Sequence, residues 1–162
     1  MSEKILYFDI ISGISGDMTL ASLLNLGVPK EIFLEEIHKL RMSDEFNINI
    51  SSKTENGIVG TKVEVITKEK HTHRNLVDIF EVIDKSTLNE NVKSKAKKIF
   101  MVIGEAEAKV HGTTIDKIHF HEVGAIDSIV DIVGASILVD LLCVDKVCPN
   151  TVLSIFGTSN FL

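Results

Sequence analysis

The chain has 162 residues, 44% of them hydrophobic, which is enough for one domain with a buried core. Its formal net charge at pH 7 is -6, with 23 acidic and 17 basic side chains. This excess of acid argues against a nucleic-acid-binding surface, because phosphate backbones require clustered Lys and Arg. The start of the chain has neither a basic segment before a long apolar run nor a cleavage site of small residues, so we expect a cytoplasmic protein.

The first predicted elements are a strand and two helices. KILYFDI, residues 4–10, is a short apolar run that ends at the Gly- and Ser-rich SGISGD, a pattern typical of a buried strand that turns into a helix. That helix is predicted in MTLASLLNLG, with Gly27 just past its end and Pro29 opening a second helix, residues 30–42. The predicted inner face of the second helix consists of Ile32, Phe33, Ile37 and Leu40.

A hairpin and two further helices follow. FNINISS (46–52) and TKVEVITK (61–68) alternate with a period of two on either side of ENG, which predicts an antiparallel hairpin. HTHRNLVDIFEVIDKS then switches to a helical period, and NENVKSKAKKIFMVIGEAEAKVHG predicts a long helix that ends at Gly112. Steps of four and three residues place the following residues on its inner face: Val92, Ala96, Ile99, Ile103, Ala106 and Val110.

The last predicted elements are a helix from Ile126 to Cys143 and a strand from Lys146 to Leu153. The apolar window around this helix is nearly long enough to span a bilayer, but it contains three aspartates, and each would cost about 3 kcal/mol at the membrane centre. We therefore expect a core helix and no membrane partner. Cys143 and Cys148 indicate neither a disulfide framework nor a thiolate zinc site.

The order β-αα-ββ-αα-α-β predicts a mixed α/β fold, either α/β or α+β. We expect residues 1–162 to form a single domain, a layered sandwich of a small mixed sheet with an antiparallel hairpin and about five helices.

The stretch IHFHEVGAIDSIVDIVG carries five potential metal ligands among aliphatic residues: His119, His121, Glu122, Asp127 and Asp131. The two histidines lie on one face of an extended HFH, and the two aspartates lie one helical turn apart. Imidazole and carboxylate together suit nickel, zinc, manganese or iron. The structural alternative is that the aspartates cap or favour the helix N-terminus while the histidines bond core carbonyls. Asp140 falls on nearly the opposite side of the helix, outside this cluster.

Two other segments are candidates for binding. His71 and His73 repeat the alternate spacing in HTH, beside Arg74, and are either a second ligand pair or surface histidines. In SGISGD, the backbone at a helix N-terminus can hold a phosphate or carboxylate, or the turn is structural and Ser15 or Asp17 caps the helix. Asp9, at the end of the strand, would lie beside such a ligand. The predicted anion-binding residues are Ser12, Gly13, Ser15 and Gly16.

Five segments taken together resemble the nickel-insertion proteins of nickel-pincer cofactor biosynthesis, the LarC family: YFDIISGISGDM, GIVGTKVEV, HRNLVDI, EAEAKVHG and HFHEVGAIDSIVDIVG. The likeness runs from about residue 5 to residue 147. It implies a lyase-type nickel insertase that places nickel into pyridinium-3,5-bisthiocarboxylic acid mononucleotide in a CTP-dependent reaction. The product is the cofactor of lactate racemase and related enzymes.

The resemblance also implies roles for the candidate residues. Nickel in the finished cofactor is bonded to a pyridinium carbon, so a proton must leave the ring, and Glu122 or a nearby aspartate is expected to accept it, with Asp9 and Asp17 as further catalytic candidates. SGISGD is expected to hold the phosphate of the mononucleotide.

Members of this family are usually longer, with a C-terminal region associated with CTP and its Mn or Mg ion. This chain resembles the N-terminal portion, and its sequence departs from the family after Val147, which a truncation, a split gene or a frameshift would each explain. We expect the chain alone neither to bind CTP tightly nor to complete insertion. Expected partners are the missing region as a separate chain, apo lactate racemase-type acceptors and further copies of the chain. The alternatives are a metal-dependent phosphohydrolase and a nickel carrier without chemistry.

Overall fold

The computed structural model describes residues 3–10, 13–68, 74–118, 120 and 123–149. Within these ranges the strands are β1 (Ile5–Phe8), β2 (Phe46–Glu55), β3 (Ile58–Thr67) and β4 (Lys146–Pro149). The helices are α1 (Gly16–Asn25), α2 (Lys30–His38), α3 (Leu76–Lys85), α4 (Glu90–His111) and α5 (Ile126–Leu141), with a 3-10 turn at Ile115–Lys117. The predicted mixed α/β class, with an antiparallel hairpin and five helices, is confirmed.

The described strands form two separate two-stranded sheets. β1 pairs in parallel with β4, with Leu6 opposite Val147. β2 and β3 form the predicted hairpin, which is longer than expected because ten residues pair on each side. Asn56 and Gly57 connect the two strands with φ values of 50° and 79°, and this left-handed pair matches the right-handed twist of a hairpin. The part of the predicted last strand beyond Pro149 lies outside the described residues.

The core is built around α5, which packs against α1, α2 and α4. Close approach depends on Gly134, where a Cβ atom would lie 2.9 Å from Leu20 Cδ2 and 3.3 Å from Phe33 Cζ. The residues of α5 that are at most 1% exposed are Ile129, Val130, Val133, Ile137 and Leu138. α5 is therefore a core helix, as predicted. No helix in the described ranges has the length and apolarity needed to cross a membrane.

The predicted inner face of α2 is confirmed for Phe33, Ile37 and Leu40, which are buried. It is wrong for Ile32, whose side chain is 42% exposed. Adjacent helical residues point about 100° apart, so α2 can bury Phe33 or Ile32 in a narrow contact with α5, and it buries the larger side chain.

The predicted inner face of α4 is right at its start and wrong further along. Ile99, Ala106 and Val110 are exposed and Ile103 is only half-buried. The buried residues advance by four at every step: Val92, Ala96, Phe100, Gly104 and Ala108. Rows of residues four apart form one of the two sets of ridges by which helices pack, and the neighbours of α4 select this row. The helix ends at Gly112 as predicted, in the left-handed conformation.

Candidate metal and precursor site

Several predicted site residues lie outside the described residues, and their roles stay predictions. They are Ser12, His71, His73, His119, His121 and Glu122. The described candidates are Asp9, Gly13, Ser15, Gly16, Asp17, Asp127 and Asp131. Their positions show what surrounds the start of α1 and the start of α5.

The first residue of α1 lies directly against a carboxylate of α5. A Cβ atom on Gly16 would lie 2.0 Å from Oδ2 of Asp131 and 2.3 Å from its Cγ, so only glycine permits this approach. We expected Gly16 to let the backbone approach a bound ligand, but what approaches it in the structure is the Asp131 side chain. The two helices thereby bring Gly16 of SGISGD next to Asp131, one of the predicted metal ligands.

Asp131 is a carboxylate in an unfavourable environment. Its Oδ1 is buried, with no hydrogen-bond donor among the described residues. Burial, together with the smaller effects of the negative charges of Asp127 and Asp17, raises the pKa of Asp131 from 3.8 to about 6. A carboxyl group with this pKa exchanges protons near neutral pH, and a cation placed beside it would relieve both the burial cost and the repulsion.

Asp127 and Asp17 occupy equivalent positions, each the second residue of its helix. Asp127 Oδ1 accepts a hydrogen bond from the backbone N–H of Ser128 at 2.8 Å, and acidic groups are favourable at helix N-termini. The interaction of both carboxylates with Asp131 agrees with the prediction that Asp127 and Asp131 share one side of α5. Stabilisation of the helix N-terminus by Asp127 is therefore compatible with the predicted metal-binding role of this residue.

The turn before α1 has one open side. Gly13 has φ +90 and open space around it, whereas Ser15, at the N-cap position, makes no side-chain capping bond. Its hydroxyl instead donates to Asp17 Oδ1 at 2.5 Å. Asp9 is exposed directly after β1. Asp131 occupies the space beside Gly16 but not that beside Gly13, and phosphate binding at this turn stays a prediction.

A groove of about 300 Å³ lies between α1 and the hairpin. Its lining includes Asp17, Met18, Lys53, Glu55, Thr61 and Lys62. The two lysines are exposed and form ion pairs along their own strands, Lys53 with Glu55 at 2.9 Å and Lys62 with Glu64 at 3.2 Å. We did not predict this groove, although GIVGTKVEV, one of the segments that carry the family resemblance, supplies part of its lining.

Arg74 and Gly124 form a second feature that the sequence did not reveal. The backbone N–H of Arg74 donates to the carbonyl oxygen of Gly124 at 3.2 Å. The Arg74 guanidinium donates through Nη2 to Glu45 Oε2 at 2.6 Å, and its side chain is 14% exposed. The only sequence signal was a glycine two residues after a run of candidate ligands.

Asp140 lies at the other end of α5, and its exclusion from the predicted metal cluster stays a prediction. Its carboxylate accepts hydrogen bonds from Asn89 at 2.9 Å, Asn91 at 3.1 Å and Lys95 at 3.0 Å. Burial raises the pKa of Asp140, but these bonds and the Lys95 charge outweigh burial, so the pKa lies below 3.8.

Within the described ranges, no group of three or more His, Cys, Asp or Glu side chains is arranged to hold a metal ion. Cys143 and Cys148 are both free. The predicted metal site includes residues outside the described ranges, and it stays a prediction.

Comparison with known proteins decides the family. The model of the nickel insertion protein family matches residues 6–160. This chain belongs to the nickel insertion protein family. The resemblance seen in the sequence is thus confirmed.

Members of the nickel insertion family from three bacteria are similar to this chain, and each is named as a pyridinium-3,5-bisthiocarboxylic acid mononucleotide nickel insertion protein. The Acetivibrio thermocellus protein is 52% identical over 153 aligned positions, covering 89% of this chain and 37% of the relative. The Clostridium kluyveri protein is 47% identical over 161 positions, covering 92% and 40%. The Clostridium acetobutylicum protein is 44% identical over 182 positions, covering 92% and 43%. The chain thus spans about two fifths of the length of these relatives. No solved structure gives a significant match.

Proposed function

We propose that this chain binds nickel and the mononucleotide precursor during the insertion of nickel into pyridinium-3,5-bisthiocarboxylic acid mononucleotide, the substrate named for its relatives. The observation that carries the proposal is the Asp131 carboxylate, held against Gly16 with a buried oxygen that has no donor among the described residues. It lies at the point where two segments typical of the family meet.

Nickel is the cargo of this reaction, so the protein must bind it and then release it. Nitrogen and oxygen ligands suit this requirement, because a cage of thiolates would compete with the sulfur atoms of the precursor. We assign nickel to His119, His121 and Glu122, with Asp131 or Asp127 completing the set. His71 and His73 are the second candidate pair. The negative potential around Asp131 supports this assignment, since it attracts a divalent cation.

The groove between α1 and the hairpin is the proposed site for the precursor. Its volume of about 300 Å³ is at the lower end of the range for small-molecule sites. Lys53 and Lys62 supply positive charge for the phosphate or thiocarboxylate groups, and Asp17 lies in its wall, which brings one end of the precursor towards the carboxylates. Ser12, Gly13, Ser15 and Gly16 are the proposed phosphate-binding turn.

Formation of a bond between nickel and a pyridinium carbon requires that the carbon lose its proton. A carboxylate accepts that proton best when its pKa is close to the working pH, and the pKa of Asp131 is about 6. We propose Asp131 or Glu122 as the acceptor, with Asp9 and Asp17 as further candidates. The C–H electron pair then forms the bond to nickel, and the proton passes from the carboxyl group to water.

The remaining features of the proposal concern the whole protein. The relatives are more than twice as long as the region that they share with this chain, and we propose that CTP and its Mn or Mg ion bind to the part that this chain does not match. The same proposal includes a lyase-type classification, a cytoplasmic location and delivery of the cofactor to lactate racemase-type enzymes. It also includes association between copies of the chain and a single domain over residues 1–162.

Equilibrium dialysis with metal analysis tests the nickel site. We expect the chain to bind about one nickel ion and the His119→Ala, His121→Ala double variant to lose that binding. Full affinity in the double variant would transfer the site to His71 and His73. Nickel binding that the precursor does not alter would favour the carrier, and hydrolysis of nucleotides would favour the phosphohydrolase.

Reconstitution tests the reaction. The chain is mixed with nickel, CTP, the precursor and the remaining region of a relative, and cofactor formation is followed by activation of an apo lactate racemase. We expect activity only when the additional region is present. Full activity of the chain with CTP alone would contradict the division of labour, and inactivity of every mixture would contradict the proposed reaction.

A further inference from the structure

The sheet formed by β1 and β4 is covered on one side only by the described residues. Side chains on a strand alternate between its two faces. On one face of β1, Leu6 is buried and Phe8 packs against the core. On the other face, Ile5 is 53% exposed and Tyr7 is 62% exposed. We call this second side the open face, and it is formed by two residues from each strand: Ile5, Tyr7, Lys146 and Cys148.

The sequence of β1 is typical of a strand that is covered on both faces. All four of its residues, ILYF, are apolar or aromatic, whereas a strand with one face in water usually alternates between apolar and polar residues. Parallel strands occur almost only in sheets that are covered on both faces, and β1 pairs in parallel with β4. The sequence and the strand direction therefore both predict a cover that the described residues do not provide.

β4 also lacks cover. Val147 lies opposite Leu6, and residues paired across two strands point to the same face of a sheet. Val147 is nevertheless 45% exposed, so the core reaches β1 and ends short of β4. Within the described ranges this sheet has two strands, fewer than is usual. Further structure beside β4 would cover Val147.

The small size of this apolar surface indicates what kind of partner covers it. The described sheet exposes large apolar side chains at Ile5, Tyr7 and Val147, whereas an interface between free proteins usually involves about 20–30 residues on each side. A region of the same chain can use a smaller contact, because a linker holds it at an effective concentration of about millimolar. Family members with additional regions exist, since this chain covers 37% to 43% of its relatives.

We infer that the part of the longer family members that this chain does not match packs on the β1–β4 sheet, through an apolar surface that covers Ile5, Tyr7 and Val147. Aromatic side chains are enriched at the centre of interfaces, and Tyr7 supplies one here. Lys146 is exposed beside it and favours an acidic group at the rim of the partner surface. This inference concerns assembly, and it does not require that the chain binds nickel.

Hydroxyl-radical footprinting, with detection by mass spectrometry, tests the cover over Tyr7, the single tyrosine of this chain. The chain alone is compared with a full-length protein in which this chain replaces the matching region of the Acetivibrio thermocellus relative. We expect Tyr7 to be oxidised readily in the chain alone and several-fold more slowly in the full-length protein. His38, exposed on α2, is the internal control and should react equally in both.

Two results of this comparison would overturn the inference. Equal oxidation of Tyr7 in the two proteins would mean that the additional region does not cover the open face. Slow oxidation of Tyr7 in the chain alone would mean that the face is already covered. If that protection appears only at high concentrations of the chain, the partner is a second copy.

A substitution distinguishes direct cover from an indirect change of structure. Ile5→Lys places a charge on the open face, and Val110→Lys, at an exposed position on α4, is the matched control. In the full-length protein we expect only Ile5→Lys to restore rapid oxidation of Tyr7 and to lower the midpoint of denaturant unfolding, because burial of an unpaired charge is unfavourable. In the chain alone the midpoint should change little, since Ile5 is exposed there. Equal shifts of the midpoint by Ile5→Lys in the two proteins would contradict the inference.

A mixing experiment replaces the comparison if the full-length protein does not fold. The remaining region of the relative is added to this chain as a separate protein, and we expect saturable protection of Tyr7 in the parent and in Val110→Lys but not in Ile5→Lys. Absence of protection at about millimolar concentration, the range that a linker provides, overturns the inference. Neither experiment contains nickel, CTP or the precursor, so failure of the inference is distinguishable from failure of the proposed function, which dialysis and reconstitution test.

Discussion

In the second turn of α5, Asp131 packs against Gly16 with a buried oxygen that has no donor among the described residues, whereas in the last turn Asp140 accepts three hydrogen bonds. Burial and negative neighbours raise the pKa of Asp131 to about 6. At Asp140, burial is outweighed by Asn89, Lys95 and Asn91, and the pKa is lowered. Two aspartates of the same helix thus have pKa values that are shifted in opposite directions.

The difference separates a carboxylate that the fold stabilises in its charged form from one that the fold destabilises. Asp140 connects the start of α4 to the end of α5, because its partners Asn89, Asn91 and Lys95 all belong to that end of α4 or to its N-cap. Asp131 makes no such connection to the residues that the structure describes, and burial and its acidic neighbours disfavour its charged form. This environment is the reason that we propose Asp131 as a ligand of the metal ion.

The largest expected effect is on nickel affinity. Asp131→Asn keeps the shape of the side chain but removes its charge, so we expect affinity to fall by about tenfold or more. Asp140→Asn should leave it unchanged. Isothermal titration with nickel measures both. Equal affinities of the Asp131→Asn variant and the parent would show that the comparison has no bearing on metal binding.

The next effect is on stability, at Gly16. The alanine Cβ would lie within 2.6 Å of Cβ, Cγ and Oδ2 of Asp131, so a rotamer change cannot relieve the clash. We expect Gly16→Ala to lower the free energy of unfolding by about 1–3 kcal/mol, the usual cost of overpacking, measured by denaturant titration. Gly60→Ala, where a Cβ atom would meet open space, is the control. An unchanged denaturant midpoint would mean that α1 and α5 move apart at little cost, and that the close contact between Gly16 and Asp131 is not required for stability.

Asp140→Asn should lower the free energy of unfolding at pH 7 by about 1–2 kcal/mol, because hydrogen bonds to a charged group are lost or weakened. The lowered pKa means that this stabilisation is present above pH 3.8, the ordinary value, and is lost as pH falls through the folded-state pKa. Parent and variant should therefore converge in acid. Asp116→Asn, at an exposed position, is the control. A constant difference down to low pH would contradict the assignment.

The smallest effect is the pH dependence that Asp131 contributes. Its folded pKa of about 6 lies above its ordinary value of 3.8, so the folded state binds the proton more tightly than the unfolded state. The free energy of unfolding should fall as pH rises through this interval. The effect is modest, because solvent screens a partly exposed group.

Denaturant titrations of metal-free protein between pH 3.8 and about 6 measure this slope. Asp131→Asn should lack the contribution and become the more stable protein above pH 6. Identical pH profiles for parent and variant would show that Asp131 does not contribute to the pH dependence of stability, contrary to the contrast drawn with Asp140.

Local patterns were sufficient to predict most elements and the family. The hairpin and helices follow from periods of two and 3.6 residues, and the spacing of Asp127 and Asp131 on one side of α5 follows from the helical repeat. The boundaries were less accurate. α5 ends at Leu141, and Cys143, the predicted last residue, has φ 52, a conformation that no helix continues through.

The choice of the buried row on α4 depended on its neighbours. A long helix with scattered apolar residues has several possible rows, and Ile99 or Phe100 satisfies the sequence pattern equally well. The structure buries Phe100 and exposes 39% of Ile99, since Phe100 continues the row of residues four apart. Periodicity alone does not state which row faces the core.

The sequence by itself determined the family, the types and order of the elements, and the residues available as ligands, because these properties depend on nearest neighbours and short repeats. Only the tertiary structure decided that Gly16 would meet Asp131, that Arg74 would bond to Gly124, and that a groove would form between α1 and the hairpin. Each of these contacts joins residues far apart in the chain. Such contacts have no period and no local propensity, so they arise only when the helices pack and bring the segments together.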